Sequence, residues 1–131
     1  MPFLNLPTAT IHYEDTGAGE PVIAVHGLIE NTAYWSETGI TARLSEKYRF
    51  VSMDMRGHGQ SIAKGIPPGY NAETIADDME ALADHLGFDR FHLLTHSTGG
   101  FAASRWAMDN SSRLAQELLS FLQDHPLHQC P

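Results

Sequence analysis

Cysteine is almost absent from the 131-residue chain: Cys130, next to the end, is the only one. A single thiol forms no internal disulfide, and a place in the tail argues against a catalytic thiol. The expected setting is a reducing cytoplasm. Positive charge is scarce as well. Eight Lys and Arg stand against sixteen Asp and Glu, a net charge of −8, which is the wrong sign for binding a phosphate backbone. No apolar run approaches the roughly 20 residues of a membrane-spanning helix, and no basic N-terminal segment leads into an apolar stretch as in a signal peptide. Neither a nucleic acid nor a membrane is an expected partner, and no metal site is expected. Internal repeats and low-complexity tracts are also missing. What remains, 42% apolar and 18% charged residues, is the composition of a globular chain with enough length for one core.

Hydrophobic periodicity changes along the chain in an alternating order of strand and helix. Phe3–Leu6 and Ala9–Tyr13 read as strands split by Pro7, and Asp15–Gly19 as a turn. Pro21–Val25 is a continuous apolar run, as in a strand buried on both faces. Trp35, Ile40, Leu44 and Tyr48 recur at helical spacing, with Gly39 weakening the middle, and Phe50–Met53 is a short strand. From Asp54 to Tyr70 the composition is that of loop. Asn71 is placed to cap a helix whose stripe is Ile75, Met79, Leu82 and Leu86 and whose left-handed cap is Gly87. Phe91–Leu94 is the next strand, 98–108 the next helix, and 112–124 puts Leu114, Leu118, Leu119 and Leu122 on one face of a last, amphipathic helix. This alternation implies an α/β fold: a mostly parallel sheet of about five strands with helices on both faces.

Three segments carry chemistry. Thr95-His96-Ser97-Thr98-Gly99-Gly100 follows a strand and opens a helix. It has the small-x-Ser-x-Gly form of a sharp turn that lifts a hydroxyl to the top of a sheet. Gly99 suits the crowding of that turn; Thr95 suits it less well. His26-Gly27-Leu28 follows the apolar strand, and Asp54-Met55-Arg56-Gly57-His58-Gly59-Gln60-Ser61 follows the next one.

Together, and in this order on strand ends, these segments resemble the α/β-hydrolase family, over roughly residues 8–110. The resemblance implies that Ser97 is a nucleophile and that the backbone N–H groups of Leu28 and Thr98 form an oxyanion hole. It implies no cofactor and a small-molecule ester or lactone as substrate. The serine, rather than aspartate, disfavours the branches with a carboxylate nucleophile. Under the same resemblance Gly27, Gly57, Gly59 and Gly100 belong to the motifs. His26 and His58 support loops, and His96 projects away from the nucleophile. Asp54, at a strand end, is expected to form an ion pair with Arg56. Tyr34 and Trp35 either line an acyl pocket or pack in the core. His12, His85 and His92 read as ordinary strand or helix-surface positions.

The acid and histidine that the family places after its serine are not evident. Asp109 lies ~18 Å along a helix from Ser97, and Glu117 and His125 would be ~12 Å apart on the last helix. Asp124 and His125 are neighbours that cannot face each other, and His128 lies beyond the helix. The triad acid and base are therefore unassigned. Residues 111–131 resemble the family's closing helix plus a tail, joined directly to the first half of the domain at 1–110. On that reading Phe91–Leu94 is an exposed sheet edge, open to pairing with a second copy. The alternative to a hydrolase is a catalytically incomplete fragment, or an interaction module that uses this edge.

Overall fold

The computed structural model describes residues 2–27, 31–56, 58–63, 72–96, 106, 108 and 110–119. Its strands are β1 (Phe3–Asn5), β2 (Ala9–Thr16), β3 (Glu20–Val25), β4 (Tyr48–Met53), β5 (Ile62–Ala63), β6 (Phe91–Thr95) and β7 (Leu114–Leu119). The helices are α1 (Ala33–Glu37), α2 (Ile40–Leu44) and α3 (Ala72–His85). The strands form one sheet in the order β1-β2-β4-β3-β6-β7, with β5 also paired to β2. β3 pairs in parallel with β4 and β6, and β6 with β7, whereas β2 lies antiparallel to β4. The sheet is mostly parallel, as expected; the five expected strands are β1, β2, β3, β4 and β6, and β5 and β7 are additional to them.

Strand alternation decides how the layers pack. Successive side chains of a strand point to opposite faces, and here both faces are apolar. Ile23, Val25, Val51, Met53, Phe91 and Leu93 pack with Ile75, Ala76, Met79, Leu82 and Ala83 of α3. Val22, Ala24 and Phe50 pack on the other face with Trp35 of α1, flanked by Ile40, Leu44 and Leu94. Helices therefore cover both faces, as the alternation of β and α segments requires. Ile75, Met79 and Leu82 of the predicted stripe are buried and Leu86, just past α3, is half-buried; the chain leaves that helix through Gly87 in a left-handed conformation (φ 77°).

Several elements differ from the sequence expectation. The helical spacing of 34–48 resolves into two short helices, because Gly39 takes φ 82° between them. A left-handed residue cannot continue an α-helix. Tyr48 opens β4 instead of closing a helix. β5 lies in what composition marks as loop. The expected cap Asn71 and most of the helix 98–108 fall outside the described residues, although Trp106 and Met108 are helical.

The larger correction concerns 112–119; the remainder of the expected helix, 120–124, lies outside the described residues. A short 3₁₀ turn at Ser111–Arg113 leads into β7, not into an amphipathic helix, and β7 runs parallel to β6 with Thr95 opposite Leu119. Leu, Ala, Gln and Glu are strong helix formers, but the open edge of β6 presents a row of backbone groups that a further strand pairs. Arg113 anchors the turn at that edge. Its Nη1 lies 2.9 Å from Asp84 Oδ1, its Nε donates to the Asp89 carbonyl at 3.0 Å, and its guanidinium sits over the Phe91 ring. The chain is thereby delivered to the start of β6, where Phe91 faces Leu114. Phe91–Leu94 is consequently an interior strand, and β7 is the last strand of the sheet among the described residues.

Candidate active site

In an open parallel sheet, ligands bind beyond the carboxyl ends of the strands where successive connections leave in opposite directions. β3 is that point here. The chain passes from β3 through α1 and α2 to β4 on one side, and β4 connects through α3 to β6 on the other. Val25 lies opposite Thr95 in the register, and the His96 N–H donates to the Val25 carbonyl at 3.1 Å. His26-Gly27 and His96 therefore leave the sheet side by side, from the two strands that flank the switch.

His26 is completely buried and holds its loop through both ring nitrogens. Met55 N–H donates to Nε2 at 2.9 Å, so the proton is on Nδ1, which donates to the Gly27 carbonyl at 2.6 Å. With both nitrogens engaged it is unfit as a general base. This is the loop-supporting role the sequence suggests. His58 packs against the His26 ring at 5.3 Å and faces the Arg56 carbonyl through Nδ1 at 3.1 Å.

Asp54 does something the sequence reading did not expect. Its carboxylate is buried and does not pair with Arg56. Oδ1 accepts from Thr32 N–H at 2.7 Å; Oδ2 accepts from Gln60 N–H at 2.9 Å and lies 2.8 Å from His12 Nδ1. The backbone of the same residues is tied too: Asp54 N–H donates to the His12 carbonyl, His12 N–H to Ser61 Oγ, and Ser61 Oγ–H to the Asp54 carbonyl. Gly59, at φ 53°, lies so close that a Cβ would overlap the whole carboxylate. Arg56 turns the other way, into a two-pronged pair with Asp78 of α3 (Nε–Oδ2 and Nη2–Oδ1, both 2.8 Å) and to Thr8 Oγ1. The physical reason is position: Asp54 is already saturated by N–H donors, and the fork of a guanidinium matches a carboxylate it can reach edge-on.

His96 is buried and stacks on Tyr34 with ring centroids 4.4 Å apart. Trp35 is fully buried and packs edge-on to Phe50. Trp35 is thus a core residue, while Tyr34 reaches the end of β6. His92 and His96 form a His-x-x-x-His interval, which corrects the expectation that the sequence holds no such metal-type spacing. On an extended chain that interval spans ~13 Å, and the two rings take separate partners, Glu20 for His92 and Tyr34 for His96.

Leu28, Gly57, Ser97, Thr98, Gly99 and Gly100 fall outside the described residues, as do Asp109, Asp124, His125 and His128. Glu117 is on β7, so its expected helical distance to His125 does not apply. The site residues missed by sequence reading are His12, Thr32 and Asp78; Gln60 and Ser61 stand in the third motif, where no role was assigned to them. Asp78 did leave a trace, as an acid next to Met79 and three positions from Ile75, within the apolar stripe of α3.

Removal of the Asp54 carboxylate strands two buried N–H donors, at His12 and Thr32, and a third, part-buried one at Gln60. Asp54→Ala is expected to cost about 3 kcal/mol or more, read as a lowered urea midpoint. A loss under about 0.5 kcal/mol, the range of ordinary surface substitutions, would contradict this assignment.

A family model described as the alpha/beta hydrolase fold matches residues 20–116. The chain is 31% identical over 100 residues to a soluble epoxide hydrolase of Corynebacterium sp. strain C12, covering 76% of this chain and 34% of that protein. It is 34% identical over 110 residues to a fluoroacetate dehalogenase of Burkholderia sp., covering 82% and 36%. Among solved structures it superposes on Est816, an N-acyl homoserine lactone degrading enzyme, with a TM-score of 0.80 and 28% identity over 90% of this chain and 44% of that one. The chain therefore spans less than half the length of each of these proteins. With the strand order, the loops at the ends of β3, β4 and β6 and these matches in agreement, the chain belongs to the α/β-hydrolase family.

Proposed function

We propose that this chain carries the nucleophile side of a serine hydrolase acting on carboxylic esters or lactones of small molecules. Ser97 Oγ attacks the carbonyl carbon. The carbonyl electron pair moves onto oxygen and is held by the N–H groups of Leu28 and Thr98. Collapse of that intermediate breaks the acyl C–O bond; the proton given up by the Ser97 hydroxyl ends on the alkoxide, which becomes the alcohol (still tethered to the acyl group in a lactone), and water then releases the acid and restores the serine hydroxyl. Preorganised donors of this kind are worth about 3 kcal/mol each to the transition state. No cofactor enters this scheme, and a reducing cytoplasm is its proposed setting.

The observation that carries the reading is the bond from His96 N–H to the Val25 carbonyl. It joins the residue before Ser97 to the strand that leads into Leu28, at the switch point of the sheet. A serine on that turn and an amide on that loop come from adjacent strand ends. The lactone-degrading relative supports the substrate class, whereas the epoxide hydrolase and dehalogenase relatives support hydrolysis alone.

A second reading, a catalytically silent chain that serves as an interaction module, is favoured by one observation. The Asp–His pair found among the described residues is His12–Asp54, and it is locked into backbone support. Labelling with a fluorophosphonate probe separates the two. The hydrolase reading expects stoichiometric labelling that Ser97→Ala abolishes; a folded protein that does not label contradicts it.

A second copy of the chain is the proposed macromolecular partner, pairing edge to edge along β7. Light scattering at high concentration is expected to give a dimer or larger species. A clean monomer would overturn this proposal.

A further inference from the structure

We propose that His12, on a strand distant in sequence from every motif, is a positioning residue that fixes the oxyanion-side loop through Asp54. Its catalytic consequence rests on the proposed roles of Ser97 and Leu28; its structural part does not.

The argument starts from the loop between β3 and α1. Leu28 lies in the segment between Gly27 and Thr32, and both ends of that segment are tied to two successive residues at the end of β4. His26 is held by Met55 N–H, and Thr32 N–H is held by Asp54 Oδ1. The Thr32 side chain makes no capping bond to α1; the entry to that helix is held by Thr32 N–H on Asp54 Oδ1 and by Ala33 N–H on Asn31 Oδ1 at 2.8 Å. The position of the clamp therefore depends on the rotamer of one carboxylate. Oδ2 of that carboxylate is set by Gln60 N–H and by His12 Nδ1. Of the described partners of the Asp54 carboxylate, His12 alone uses a side chain, and it comes from β2, which pairs directly with β4.

The other nitrogen of His12 strengthens the case. Nε2 is buried and has no hydrogen-bond partner among the described residues. An imidazole there gains nothing at Nε2 that an apolar ring of the same size would lack, and it leaves a buried polar atom unpaired. What the imidazole adds is the Nδ1 donor. A proton on Nδ1 leaves only a lone pair at Nε2, and it gives the buried carboxylate its third N–H. His12 also packs on Phe3 at 5.3 Å, which holds the ring plane.

Two polar variants separate a donor at Nδ1 from mere filling of space. The amide nitrogen of Asn can take the place of Nδ1, whereas that of Gln reaches the place of Nε2. Amide hydrogen exchange by NMR on the full chain is the primary readout, and the rate of Ser97 labelling by a fluorophosphonate is the second. His12→Gln is expected to speed exchange at Thr32 and Gln60 about tenfold, the worth of one charge-assisted bond, while Val25 and Leu93 keep wild-type protection. His12→Asn is expected to restore both amides, and the labelling rate should follow the same order. Equal exchange at Thr32 and Gln60 in both variants, or a loss of protection spread over the whole sheet in both, would overturn the proposal. So would failure of His12→Asn to fold. The expected exchange pattern in a protein whose Ser97 does not label would sink the hydrolase reading and leave the role of His12 intact.

Discussion

The buried carboxylate of Asp54 is the contact on which the functional end of this sheet depends. It collects N–H groups from three parts of the chain that sequence keeps far apart: β2, the entry to α1 and the loop after β4. A carboxylate removed from water is costly unless donors surround it, so each of these segments is held where it can donate. The glycine at position 59 belongs to the same constraint, because its missing side chain is the room the carboxylate occupies. Local backbone, packing and loop placement thus follow from one charged group at a strand end.

The sheet supplies the frame for that group. Both faces of β3, β4 and β6 are apolar and covered, by α3 on one side and by α1 and α2 on the other. Burial on both faces forces the polar loop residues to the strand ends, and the reversal of connections at β3 gathers those ends at one crevice. Arg56 and Asp78 brace the crevice from the α3 side through a second buried pair. The two pairs divide the labour: Asp54 holds loop to loop, and Arg56 holds the loop to a helix.

Much of this was legible in the sequence, because burial on both faces leaves a plain signal. The runs at 21–25, 50–53 and 91–94 and the stripe of α3 could be read directly, and the described parts of the motifs, His26-Gly27, Asp54–Arg56 and His96, stand at strand ends. Other features left no signal. His12 sits between Ile11 and Tyr13 as any strand residue might, and its partner is 42 positions away. Asp54 and Arg56 are near neighbours with opposite charge, which made an ion pair between them the natural expectation; only the fold brings Asp78 within reach of the guanidinium. β7 misled for a related reason. Its residues favour helix on their own, and the demand of the β6 edge for a hydrogen-bonded neighbour outweighs a preference of a few tenths of a kcal/mol per residue.

A double-mutant cycle between Asp54→Ala and Gly59→Ala tests the central constraint most directly. The account places the Asp54 carboxylate in the space a side chain at 59 would need, so removing the carboxylate should relieve the overlap part of the cost of Gly59→Ala and leave the backbone strain of φ 53°. The stabilities should then depart from additivity by about 1 kcal/mol or more, as for residues in contact. Additive effects would mean that the carboxylate does not fill that space, and the node at the end of β4 would not exist as described.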